Sequence, residues 1–139
     1  MDVDYSAAKE YLKEEHYYGR VVRKLFLSAG IVMLFSLPLF SNLIPASAGM
    51  SLAAIVALGI VAGFLNPLSR WVVVLHLALS LAALIVFEQE AILSYGLLSS
   101  QTGTLFFAVN QLLALNFFFA TYYAAKSVRG LFVKGKIVR

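Results

Sequence analysis

The stretch "WVVVLHLALSLAALIVF", Trp71 to Phe87, contains no Asp, Glu, Lys or Arg, and His76 is its only ionisable side chain. An uncharged apolar run of this length has to be kept from water on every side, and a bilayer interior does that without a large protein around it. Backbone polar groups cannot reach water there, so the run has to satisfy them within itself, which an α-helix does. Extended one turn to Glu88 and Glu90, the helix rises far enough, at about 1.5 Å per residue, to cross a hydrocarbon core of about 30 Å. Trp71 and the two acids then fall at opposite interfaces.

Three similar runs surround it. From Val21 to Ile44 the only charges are Arg23 and Lys24, after which "LFLSAGIVMLFSLPLF" carries none. Pro38 is expected to kink or end that helix, with Asn42 and Pro45 marking its exit. "MSLAAIVALGIVAGFL", Met50 to Leu65, stops at Asn66 and Pro67, and so short a connection to Trp71 implies an antiparallel hairpin. The last run extends from Thr104 to Ala125. The sequence thus predicts an all-α, integral membrane four-helix bundle over residues 21–125, with spans at about 21–44, 50–65, 71–90 and 104–125. An amphipathic interfacial helix at residues 1–20 precedes it, and a basic tail at residues 126–139 follows.

Composition agrees. Hydrophobic residues make up 61% of the 139 and charged residues 13%, against about 45–50% and about 25% in soluble domains. There is no cysteine, which excludes a disulfide framework, a thiol nucleophile and thiolate metal sites. The net charge of +4 is explained by its placement. Lys9, Lys13, Arg20, Arg23 and Lys24 precede the first span, Arg70 follows the second, and Lys126, Arg129, Lys134, Lys136 and Arg139 follow the fourth. With four crossings all of these lie on one side, and the two loops opposite carry no Lys or Arg. The positive-inside rule then places both termini in the cytoplasm of a multi-pass cell-membrane protein, of the bacterial inner-membrane type, and nucleic acid is not an expected partner. "ASA" at residues 46–48 is similar to a signal-peptide cleavage site, but a charged leader of more than twenty residues is too long for an n-region, so the first span reads as permanent.

In the leader, Tyr5, Ala8, Leu12 and Tyr18 recur near helical spacing, giving a helix that lies at the interface. His16 beside Glu14 and Glu15 lacks a second histidine at ligand spacing, so no metal is expected. The tail residues Lys126, Arg129, Lys134, Lys136 and Arg139 are candidates for anionic lipid headgroups, each charge contributing about 1 kcal/mol close to the surface.

Inside the spans, Gly59 and Gly63 form a GxxxG pair, expected to allow close helix packing within the bundle or between copies. His76 lies about 8 Å from Trp71 along the axis, with Ser80 one turn deeper, while Ser28 and Asn116 count to a similar depth on spans one and four. These four, Ser28, His76, Ser80 and Asn116, are the candidate intramembrane polar cluster. At about 100° per residue, Asn110, Ala114, Thr121 and Ala125 form a helix-packing stripe, and Asn116 with Ala120 lies on another face.

The expected function is that of a structural or accessory subunit, assembling with itself or with a larger membrane complex, without catalysis or a cofactor. In size and topology the chain is similar to the small multidrug-resistance exporters, which work as dimers, and that layout implies transport. Their first span carries a membrane carboxylate, where this one has only Ser28 and Ser36 as polar side chains. An oligomeric small-molecule or ion transporter or channel, built on the cluster around His76 and Asn116, is therefore the alternative. An enzyme is not expected, because one intramembrane histidine cannot supply a haem ligand pair and no base stands near a nucleophile.

Overall fold

The computed structural model describes residues 18–44, 47–64 and 70–133; the interfacial helix expected at residues 1–17 and the tail residues Lys134, Lys136 and Arg139 lie outside them. Among the described residues there are four α-helices and no strand. They are α1 (Gly19–Leu39), α2 (Ala48–Gly63), α3 (Arg70–Ser94) and α4 (Gln101–Val133), with a short 3-10 turn, Tyr95–Leu97, between the last two. The fold is the all-α helical bundle that the apolar runs dictate.

Local chemistry sets the ends. Pro38 is the last residue but one of α1. Having no N–H, it cannot donate to the carbonyl one turn back, and the last helical bond runs from the Phe40 N–H to the Ser36 carbonyl at 2.9 Å. The first helix therefore stops at Leu39 and not at Ile44. Helix α2 starts earlier than Met50, because Ser47 Oγ accepts the Met50 N–H at 3.2 Å as an N-cap. Likewise Ser100 Oγ accepts the Gly103 N–H at 3.0 Å and starts α4 ahead of Thr104. At Gly103 an added Cβ would stand 2.1 Å from the Leu97 carbonyl oxygen, so only glycine lets the 3-10 turn fold back so closely on α4.

The helices differ in length. Three helices, α1, α3 and α4, are long and apolar enough to cross a membrane, but α2 has 16 residues, about 24 Å of rise. It does not match the other three in length. Helix α4 runs past the expected span limit at Ala125, on to Val133. Lys126 and Arg129 are thus helical, because leaving the apolar layer changes which side chains are favourable without breaking the backbone.

Neighbouring helices run antiparallel. The start of α1 meets the end of α4, where Tyr18 N–H donates to Ser127 Oγ at 2.9 Å, and Phe40 meets Phe106 at the opposite end, with ring centroids 5.4 Å apart. Arg23 of α1 reaches the last carbonyls of α2. Helix α2 packs on α1, α1 on α4, and α4 on α3 in the most extensive contact of all. Gly19, Gly63, Arg70 and Val133 share one end, called the basic end below.

The α3–α4 contact has a seven-residue repeat. On α4 the buried Phe106, Asn110, Leu113, Phe117, Ala120, Ala124 and Ser127 follow alternating steps of four and three, with Ala114 buried beside them; on α3, Val73, His76, Ser80 and Ser94 keep the same register, flanked by Val72 and Ala91. This 3.5-residue spacing is that of helices wound around one another with a left-handed supercoil. The core cluster of Val22, Phe26, Ala29, Ala62, Leu113, Phe117, Ala120 and Ala124 is centred on Phe117, which stacks on Phe87 at 5.6 Å and meets Phe26 at 5.9 Å. Helix α4 is accordingly the most enclosed of the long helices, with 39% of its apolar window buried against 17% for α1 and 22% for α3. The large side chains left outside, such as Ile31, Phe35, Leu39, Ile85, Ile92 and Phe118, form an apolar surface suited to lipid.

Candidate functional site

The four polar residues predicted to cluster divide into two pairs. Ser28 Oγ lies 2.9 Å from the Leu25 carbonyl and 3.2 Å from Asn116 Oδ1, while Asn116 Nδ2 donates to the Leu25 carbonyl at 2.9 Å. This small network ties α1 to α4. A groove of about 170 Å3, lined by Ser28, Ala29, Val32, Leu112, Leu113 and Asn116, opens beside it between the two helices.

His76 and Ser80 stand elsewhere. The histidine is 4% exposed; its Nε2 lies 3.4 Å from the Val61 carbonyl of α2, and Phe26 meets its ring edge-on at 5.3 Å. At 3.4 Å an Nε2–H makes a weak hydrogen bond. Ser80 Oγ donates to the His76 carbonyl of its own helix at 2.6 Å, so it satisfies itself and reaches no ligand. The level of His76 is set by the residues around it. It shares a small cavity with Gly19, Ala124 and Ser127, and Ala124 is eight residues, about 12 Å along the axis, from Asn116. Counting depth separately along each helix therefore misplaced His76 and Asn116 relative to one another.

The predicted stripe on α4 also divides. Asn110 and Ala114 are buried, with Asn110 Nδ2 donating to the Phe106 carbonyl at 2.9 Å. Thr121 is partly buried and Ala125 exposed. Over these distances a seam repeating every 3.5 residues departs from a straight 100° stripe by about 20° per heptad, which moves Ala125 outside and brings Ala120, Ala124 and Ser127 in. Thr121 Oγ1 is buried without a hydrogen-bond partner.

No known protein family, curated protein or solved structure matches this chain. The site is therefore read from its own geometry.

On α2, a Cβ added at Gly59 or at Gly63 would meet nothing within 4 Å. Among the described residues nothing fills the GxxxG edge, so of the two contacts expected there, within the bundle or between copies, the first is not found. What holds α2 instead is Arg23, whose Nε donates to the Ala62 carbonyl while its outer nitrogen donates to the Gly63 carbonyl at 3.3 Å. Carbonyls of a last helical turn lack intrahelical donors and carry the negative end of the helix dipole, so a guanidinium there satisfies both needs. Sequence reasoning used Arg23 only as a topology charge. Nothing in the spacing could have assigned it to a helix about forty residues away.

Lys126 Nζ stands 4.8 Å from the Tyr122 ring centroid and 5.4 Å from that of Tyr18, whose own ring meets Tyr123 at 5.1 Å. These contacts close the α1–α4 seam at the basic end with amphipathic aromatic side chains of the kind found at membrane interfaces. Ser127, which joins the seam through Tyr18, was also missed, although its step of three from Ala124 continues the heptad. Among the described residues no three His, Cys, Asp or Glu side chains come together as a metal site.

Proposed function

We propose that this membrane protein works by assembly, as a small polytopic subunit that joins copies of itself or a larger membrane complex, with no catalytic centre. The observation that carries this reading is how much of α2 is left uncovered. This helix packs chiefly on α1 and meets α3 at the Val61 carbonyl beside His76; its Gly59 and Gly63 edge is open among the described residues, and Met50, Leu52, Val56, Ile60 and Phe64 are exposed. In lipid, helices associate through close packing at small residues, and a helix shorter than the bilayer gains from oligomerising. The test is the mass of the complex extracted directly in native lipid. A homo-oligomer, or a stoichiometric partner, is expected for the wild type. Gly59→Leu with Gly63→Leu should convert it to a monomer with unchanged helix content, since a Cβ at either position meets nothing within 4 Å among the described residues. A wild-type mass equal to one chain rejects the reading.

The transport alternative has less support. Asn116 sits on the α1–α4 contact and His76 at the junction with α2, so a conduit using both would have to be completed by another copy. Proteoliposome flux that responds to His76→Ala would favour it.

A further inference from the structure

The cavity at the basic end is about 10 Å3 and is lined by Gly19, Val22, Val73, His76, Ala124 and Ser127. That is the space of a single water molecule. Three observations describe what an occupant would meet. His76 is 96% buried, from its 4% exposure, and with Nε2 turned to the Val61 carbonyl its other ring nitrogen, Nδ1, has no partner among the described residues. Gly19 begins α1, and Tyr18 at the N-cap supplies no side-chain hydrogen bond, so the first-turn N–H groups lack intrahelical acceptors. Ser127 Oγ closes the wall, accepting the Tyr18 N–H at 2.9 Å and donating to the Tyr123 carbonyl at 3.0 Å, which fixes α1 and α4 on either side of the void.

We propose that this cavity binds one ordered water, which joins His76 of α3 to the first turn of α1 beside the α4 seam. The bonding is consistent in sense. The Val61 carbonyl selects the tautomer with the proton on Nε2, leaving Nδ1 as an acceptor. Water donates to Nδ1 and accepts from a first-turn N–H of α1, so each group lacking a partner receives the complement it needs. A buried water with polar partners of both kinds persists with the fold, whereas a cavity lined only by Val22, Val73 and Ala124 would stay dry. The site goes beyond assembly, since it gives His76 a ligand within one chain and hydrates the apolar interior at the basic end.

The experiment is magnetisation transfer from water to the His76 ring and the Gly19 amide by NMR, on the full chain in bilayers with 15N-labelled histidine and glycine and a His16→Gln background. The wild-type site should give a bound-water cross-peak to the ring, with Nδ1 unprotonated and hydrogen-bonded. Ala124→Val fills the void and should abolish the cross-peak. His76→Leu keeps the bulk, removes the acceptor and should abolish water transfer to the Gly19 amide; it decides the matter if the valine variant does not fold. Absence of water transfer in the wild type overturns the proposal, as does transfer at Gly19 that survives His76→Leu.

Discussion

Arg23 shows how much one side chain does here. Its guanidinium caps a helix whose main neighbour is α1, so Arg23→Met, which keeps the aliphatic stem, should weaken the α1–α2 contact by about 1.5–3 kcal/mol, the range for hydrogen bonds to charged groups. Arg23→Lys should recover part of that, because an ammonium supplies charge without the fork that reaches two carbonyls. Denaturant titration in mixed micelles, with a fluorescence pair across α1 and α2, measures both; equal stability of wild type and Arg23→Met would show the cap to be idle. Thr121 presents the opposite case, a buried hydroxyl without a partner. Thr121→Val keeps its shape and removes the unmet polar atom, so it should raise stability by about 1 kcal/mol. A fall in stability would mean that Thr121 has a partner after all. Asn116→Leu, which removes the bonds to Ser28 and to the Leu25 carbonyl, should cost about 1 kcal/mol, as membrane side-chain hydrogen bonds are modest.

At the scale of elements, the α3–α4 turn is the most constrained. With the Leu97 carbonyl 2.1 Å from the Cβ position of Gly103, Gly103→Ala should lower the unfolding midpoint clearly while Gly30→Ala, which would meet nothing within 4 Å, should leave it nearly unchanged. Comparable losses at both sites would refute the close-approach argument. The elements also mark where the residue pattern was readable. Apolar run length identified each helix, and Pro38 and Ser47 fix ends through one missing donor and one supplied acceptor. The 3.5-residue seam was present in the spacing of Asn110, Leu113, Phe117, Ala120 and Ala124, but an ideal 100° rotation hid it, because the two periods separate only over several turns. The extension of α4 to Val133 was hidden because Lys126 and Arg129 mark the edge of lipid and not the end of a helix.

For the whole molecule, the antiparallel order α2, α1, α4, α3 brings the described ends, at Tyr18 and Val133, to the same side. The chain has no cysteine, so single labels report topology cleanly. Ser99→Cys should react with an impermeant maleimide from one face of the membrane and Arg129→Cys from the other; labelling of both from the same face would contradict the arrangement. By the positive-inside rule the face reached at Arg129 is expected to be cytoplasmic.

By itself the sequence determined the class of solvent, the helical state and the direction of each turn-back, because these follow from local quantities: the length of an uncharged run, the position of proline and the side on which Lys and Arg fall. Tertiary structure decided which polar groups meet. Ser28 found Asn116, His76 found Val61 and a cavity with Ser127, and Arg23 found the end of α2, while Gly59 and Gly63 were left open. A polar group inside a membrane is stabilised by a hydrogen-bond partner, but whether it meets one, and which, depends on relative depth and rotation of packed helices, and those are set by the fit of side chains along the seams.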